Sequence, residues 1–265
     1  IMEQGLAPKT CNLRLTAIRA FLEYAAQEYL WIMPVYTDAC TIVGVKTTNH
    51  AIEYFEPNEM TALLAAPSGN NKTDRRNQMI LIFLYDTAAR VAEARQVKVS
   101  DLHLDAEVPY VTLLGKGRKY RNIPLMDKTI LHLKRFLKDF HGSELKTDMP
   151  LFYSKIHGQV HELSSDTFEK MIKRYAAQCR AGGYSMPDNV HCHMIRKTRA
   201  MDLYREGVPL THIQQLLGHE NISTTSGFYA FATLDVLAKA MEIVNPDNGV
   251  KSWSNPDTLE RLYRL

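Results

Sequence analysis

Apolar residues in this chain recur mostly at intervals of three and four, the period of a helix with one buried face. The segment APKTCNLRLTAIRAFLEYAAQEYLW places Leu13, Leu15, Ile18, Phe21, Leu22 and Ala25 near that spacing. It predicts an amphipathic helix, with Pro8 just before it and Thr10 or Asn12 as its cap. From about Pro34 to Glu53 no helical period is visible, and the stretch reads as a linker. Helix resumes in FEPNEMTALLAAP, with Asn58 as the cap and Met60, Leu63 and Leu64 turned inward. The run QMILIFLYD is nearly all apolar and predicts a buried helix leading straight into TAARVAEARQVKVSDL.

The period then changes. In VPYVTLLGKGRKYRNIPL, β-branched and aromatic residues flank a Gly-Lys-Gly tip, which predicts a hairpin. Four more helices follow: ILHLKRFLKDF; SSDTFEKMIKRYAAQCRAGG, with Ser165 or Asp166 as cap; HMIRKTRAMDLYREG; and VPLTHIQQLLG, ending at Gly218. VLAKAMEIV and the tail SNPDTLERLYRL read as two further helices. The sum is a mainly α chain with a small antiparallel β-sheet and one or two hairpins, with no internal repeat.

Composition narrows this only slightly. The 265 residues, 45% of them hydrophobic, suffice for one large domain or one domain plus a smaller piece. A net charge of +3 neither demands nor excludes a nucleic acid, so local clusters matter more than the sum. Cys11, Cys40, Cys179 and Cys192 show no paired spacing and read as reduced thiols of a cytoplasmic protein. No apolar run reaches the roughly 18 residues of a membrane span. The first residue is Ile1, which suggests an excerpt of a longer protein with an upstream segment missing.

Several local features carry chemistry. Arg90 directly follows the buried helix; its ordinary reading is a cap or an ion pair with Glu93. Lys116 sits at the hairpin tip with Arg118, Lys119 and Arg121 close by, a charge density that suits a DNA groove or simply a soluble turn. A nucleotide-binding loop fails there, because neither the hydroxyl residue nor the earlier glycine is present. Lys9, Arg14 and Arg19 form a basic face on the first helix, either solvated or laid against phosphates. His193 and Arg196 share a helical face at i,i+3 and together suit a phosphate. A zinc reading of His191, Cys192 and His193 meets poor geometry, since adjacent residues rarely ligate one metal. His219 is followed ten positions later by Tyr229. Two arginines, a lysine, two histidines and a tyrosine make a set able to transfer a phosphoryl group without metal.

The three blocks TAARVAEARQVKVSDL, GKGRKYRNIPL and HMIRKTRAMDLYREGVPLTHIQQLLGHENISTTSGFY resemble the tyrosine recombinase, or phage integrase, family over about residues 55 to 245. The resemblance implies a catalytic domain over 57–245, entered through a 46–56 linker. Before it, residues 1–45 would be part of a helical, DNA-clamping core-binding domain; after it, 246–265 would be a tail whose helix docks on a neighbouring subunit or on its own domain. It also implies roles. Arg90 and Arg196 would clamp the phosphate, with Glu93 bracing the first arginine. Lys116 would protonate the leaving 5′-hydroxyl, His193 would transfer protons and His219 would bond a phosphate oxygen. Tyr229 would be the nucleophile forming a 3′-phosphotyrosyl link. Arg14, Arg118, Lys119, Arg121 and Lys197 are the expected DNA contacts. No cofactor and no metal is implied, and the partner is double-stranded DNA carrying specific sites, held by a tetramer on two duplexes. A mobile-element integrase is the preferred role within the class.

Two departures bear on this. Lys197 and Arg199 stand where the family commonly has His and Phe. The family's tyrosine usually lies nine residues after the histidine, and here Phe228 holds that place. Either Gly227 marks a one-residue insertion or Phe228 is a disabled nucleophile; YAFATLD downstream favours the insertion. One rival is a type IB topoisomerase-like enzyme, which uses similar chemistry; the other, drawn from the Phe228 register, is a catalytically inactive DNA-binding accessory protein.

Overall fold

The computed structural model describes residues 5–47, 53–68, 71–142 and 146–218, apart from the side chain of Lys116. The chain divides into two compact units, Ile1–Ala51 and Ile52–Leu265.

In the first unit, α1 (Pro8–Glu28) begins with proline in its first turn, where the missing N–H costs nothing. Neither Thr10 nor Asn12 caps it. Ala7 holds that position, and the Asn12 side chain instead exchanges two 2.8 Å hydrogen bonds with the backbone of Val45. The segment expected to be an irregular linker opens with a helix, α2 (Met33–Thr41). The reason lies in long-range bonding. Arg19, expected on a basic solvent face, donates from Nε to the Ala39 carbonyl at 2.9 Å and from Nη2 to those of Cys40 and Ile42. It thereby satisfies carbonyls that the end of α2 leaves without intrahelical partners.

In the second unit, α3 (Pro57–Ala65) starts with a reciprocal cap between Glu56 and Glu59, not with Asn58. The buried helix is α4 (Lys72–Thr87), capped by Asn71, whose side chain accepts the Asp74 N–H at 2.7 Å. It packs against α3 and against the helices Asp127–Phe136 and Cys192–Arg205, and its Phe83 meets Phe152 edge-on at 5.4 Å. After α5 (Val91–Gln96) comes an antiparallel sheet in the order β1 (Leu102–His103), β2 (Tyr110–Leu114), β3 (Tyr120–Pro124). Leu114 pairs with Tyr120 across the Gly-Lys-Gly tip, as the expected hairpin requires. Helix α6 (Asp127–Phe136) runs into a single π turn, Leu137–His141. A second hairpin, β4 (Tyr153–Ile156) with β5 (Gln159–Glu162), turns through His157 and Gly158, both at positive φ. Helix α7 (Ser165–Ala181) is capped by Ser164, one residue before the expected caps, and α8 (Cys192–Arg205) and α9 (Leu210–Leu217) complete the described chain.

Thr198 ties the entry of this unit to α8. Its hydroxyl accepts the buried Phe55 N–H at 2.8 Å and donates to the Met194 carbonyl at 2.9 Å. Replacing it with valine keeps the shape but leaves that N–H without an acceptor. Thr198→Val should therefore lower unfolding free energy by about 1–3 kcal/mol, read from urea denaturation with an unchanged slope.

Candidate active site

The turn between α4 and α5 has an unusual backbone. Ala88 closes α4 in the left-handed region, at φ 48 and ψ 30, with its methyl fully buried. Such a conformation costs a residue with Cβ roughly 1–2 kcal/mol. What results is a sharp reversal that frees the Ala88 carbonyl and presents Arg90 at the start of α5.

Glu93, in the first turn of α5, is almost fully buried and is the centre of the assembly. Its Oε2 accepts the Arg90 N–H at 2.7 Å, and its Oε1 meets Arg90 Nη1 at 2.8 Å. Arg121, from β3, grips both oxygens at 2.8 and 2.7 Å. Arg196, from α8, brings Nη1 to 4.0 Å of Oε2. Burial pushes the Glu93 carboxyl up, but the bonds from Arg121 and Arg90 more than offset this and hold its pKa at about 2. One negative charge thus faces three guanidinium groups.

Arg196 is buried. Its Nη1 donates to the Ala88 carbonyl at 2.6 Å and its Nη2 to the Leu217 carbonyl. Arg90 Nη2 lies 3.4 Å from the Gly218 carbonyl. The end of α9 is therefore bonded to both arginines. Gly218 sits at φ 60, which favours glycine, and a Cβ there would press to 3.2 Å on the Arg121 side chain.

His193 is exposed on α8 but crowded, and its pKa is pulled down to about 4, first by desolvation and then by the charges of Arg196, Lys197, His191 and Arg90. It is thus neutral at pH 7 in the free protein. The structure brings Arg90, His193 and Arg196 close to one another; the i,i+3 spacing predicts this for His193 and Arg196 alone. Of the expected DNA contacts, Arg14, Arg118 and Lys119 are exposed and Lys197 is half-buried. Arg121 departs from expectation. It points inward, committed to Glu93 and, through Nε, to the Leu216 carbonyl at 3.0 Å. A fork already matched to a buried carboxylate is not presented to an external phosphate. The Lys116 side chain, His219, Phe228, Tyr229 and the tail helix lie outside the described residues. Among the described residues, no three His, Cys, Asp or Glu side chains converge to hold a metal ion, and no helix is long and apolar enough to cross a membrane.

Residues 53–233 match the model of the phage integrase family. The chain belongs to that family. Its enzyme class is the one the sequence resemblance implies, a tyrosine recombinase. Among curated proteins it is 30% identical over 255 residues to the "Putative integrase/recombinase y4rC" of Sinorhizobium fredii, covering 96% of this chain and 74% of that protein. It is 31% identical over 229 residues to the tyrosine recombinase XerD of Halalkalibacterium halodurans, covering 85% and 72%. The fold resembles that of the Tn1549 transposon integrase in complex with a circular intermediate DNA, with a TM-score of 0.69 at 19% identity over 92% of this chain and 81% of that one. It also resembles the XerH recombinase bound to its difH substrate, with a TM-score of 0.62 at 22% identity over 87% and 72%.

The Glu93 carboxyl contributes stability that is complete above its unfolded pKa of 4.5 and lost as pH falls from there toward about 2. Glu93→Gln removes that dependence and leaves three guanidinium groups without their counter-charge. It should cost on the order of 3–5 kcal/mol at neutral pH, with a flatter profile below pH 4.5, measured by chemical denaturation across pH.

Proposed function

We propose that this recombinase cleaves and rejoins double-stranded DNA at specific sites through a 3′-phosphotyrosyl intermediate. The observation that carries the reading is the imbalance around Glu93, one carboxylate against Arg90, Arg121 and Arg196. Arg121 is spent on Glu93, so the surplus positive charge falls on the Arg90 and Arg196 side, where it suits a phosphodiester gaining charge in its transition state.

In this reading the Tyr229 oxygen attacks phosphorus and loses its proton, and the bond to the 5′-oxygen breaks. Lys116 protonates that oxygen as it leaves. Arg90, Arg196 and His219 hold the non-bridging oxygens. His193, neutral at the outset, has the capacity to accept a proton. Rejoining runs the same steps in reverse with a different 5′-hydroxyl. The enzyme acts in the cytoplasm, on nucleoid DNA, as a tetramer holding two duplexes, with the tail helix of 246–265 docking on a neighbour and residues 1–45 clamping the DNA. The 30% identity to a protein named a putative integrase/recombinase supports an integrase role, of the kind a mobile element uses.

A nicked duplex tests the chemistry. Its sequence is selected from random duplexes by binding to the protein, and its nick lets the cleaved end escape, trapping the covalent complex. The protein should form a DNA adduct that survives denaturation, and Tyr229→Phe should abolish it. An adduct that persists in Tyr229→Phe and disappears in a Phe228 variant would move the nucleophile by one residue. No adduct on bound DNA would favour the inactive accessory protein, a reading drawn from Phe228 standing at the usual tyrosine position.

The hairpin cations separate by direction. Removing Arg118 or Lys119 should reduce the slope of log affinity against log salt by about 1 each. Arg121→Ala should leave the slope unchanged and lower stability instead, because it opens the Glu93 pair.

A further inference from the structure

The turn that carries Arg90 lies between two buried carboxylates, Glu93 on α5 and Asp86 on α4. Asp86 lies in the last turn of α4 and is 2% exposed. Its Oδ2 accepts the N–H of Met126, at the exit of β3, at 3.0 Å. Its Oδ1 stands 3.6 Å from Nη2 of Arg199, on α8. Arg199 is largely buried, and its guanidinium lies over the Tyr85 ring at 5.3 Å. Tyr85 in turn donates to Asp202 at 2.7 Å.

The arrangement repeats that of Glu93. Glu93 engages a side chain of β3 and Arg196 of α8. Asp86 engages the backbone just after β3 and Arg199 of α8. Arg199 lies three residues beyond Arg196, on the neighbouring part of the same helical face. The two carboxylates thus hold α4 and α5 to the hairpin and α8, one on either side of the Ala88 turn. Net stability does not account for the second pair. Burying an ion pair usually gains little over apolar residues of the same volume, and the Arg199 Nε is buried with no hydrogen-bond partner among the described residues. What an ion pair adds is direction, since it fixes how far α8 sits along and around α4.

We propose that Asp86 and Arg199 are positioning residues for strand cleavage: their ion pair sets the placement of α8 against α4 and β3, and so the separation of Arg90 from Arg196. This rests on the reading of those two arginines as the phosphate clamp. Neither Asp86 nor Arg199 touches the reacting atoms. A misplacement of about 1 Å in such a clamp is enough to cost on the order of a hundredfold in rate.

The test compares wild type, Asp86→Asn, Arg199→Met and the double variant, with two readouts. Asp86→Asn keeps an oxygen for the Met126 N–H, and the double variant leaves no unpaired buried charge, so it remains folded even if a single variant does not. The first readout is the NMR titration of the His193 ring in the free protein, whose midpoint the nearby Arg196 and Arg90 charges depress. The second is the rate of adduct formation on saturating selected nicked duplex, alongside its affinity. The expected result for the double variant is a melting temperature near wild type, a displaced His193 midpoint, an affinity within about twofold and an adduct rate at least about tenfold lower. A folded double variant with the wild-type midpoint and rate would overturn the proposal, and so would a rate loss that merely follows lost affinity. If wild type itself forms no adduct, the cleavage reading fails. The His193 midpoint then still decides whether the pair places α8.

Discussion

Three arginines from distant parts of the chain converge on one buried carboxylate, and the rest of the site depends on that convergence. Without Glu93, guanidinium groups from α5, β3 and α8 would repel one another in a region poorly reached by solvent. With it, Arg121 is neutralised in a bidentate pair and the other two are held at the rim of the same charge. The field left over is positive and fixed before any substrate arrives. Dipoles and charges set in advance need no reorganisation at the moment of reaction, and this is where electrostatic catalysis gains most.

This geometry links otherwise independent elements. Helix α4 supplies the Ala88 carbonyl, α8 supplies the arginine that meets it, and the end of α9 supplies the Leu217 and Gly218 carbonyls. The bond from Arg90 to Gly218 spans 128 residues of sequence. Contacts of such range form only once most of the second unit is assembled. The site is therefore a product of the second unit as assembled and not of a local motif.

Much of this was legible in the sequence because it rests on periodicity. The continuous apolar run QMILIFLYD, the Gly-Lys-Gly hairpin and the i,i+3 pair His193–Arg196 are local signals, and each appears where it was expected. The failures share one cause. Helix α2 looked irregular because its end is satisfied by Arg19, whose role is invisible without the fold. Asn12 looked like a cap and instead bonds Val45, 33 residues on. Arg121 looked like one of a row of surface cations, although its alternation on β3 alone cannot say which side faces a buried acid. Asp86 carried no signal beyond being charged within an apolar run, a sign worth heeding because an unpaired acid is rarely tolerated there.

Position 88 also acts as a filter on mutation. Its φ of 48 excludes β-branched side chains, and its complete burial among Ala200, Met201, Ile213 and Leu217 excludes long or polar ones. Glycine would relieve the backbone but remove a buried methyl, two effects of similar size and opposite sign. Sequence drift at this position is thus confined to the two smallest residues, with the residue 88 side chain buried among apolar neighbours. A survey of natural variation should find alanine and glycine exchanging there and little else, and that narrow choice would report the shape of a turn, not a step in the chemistry.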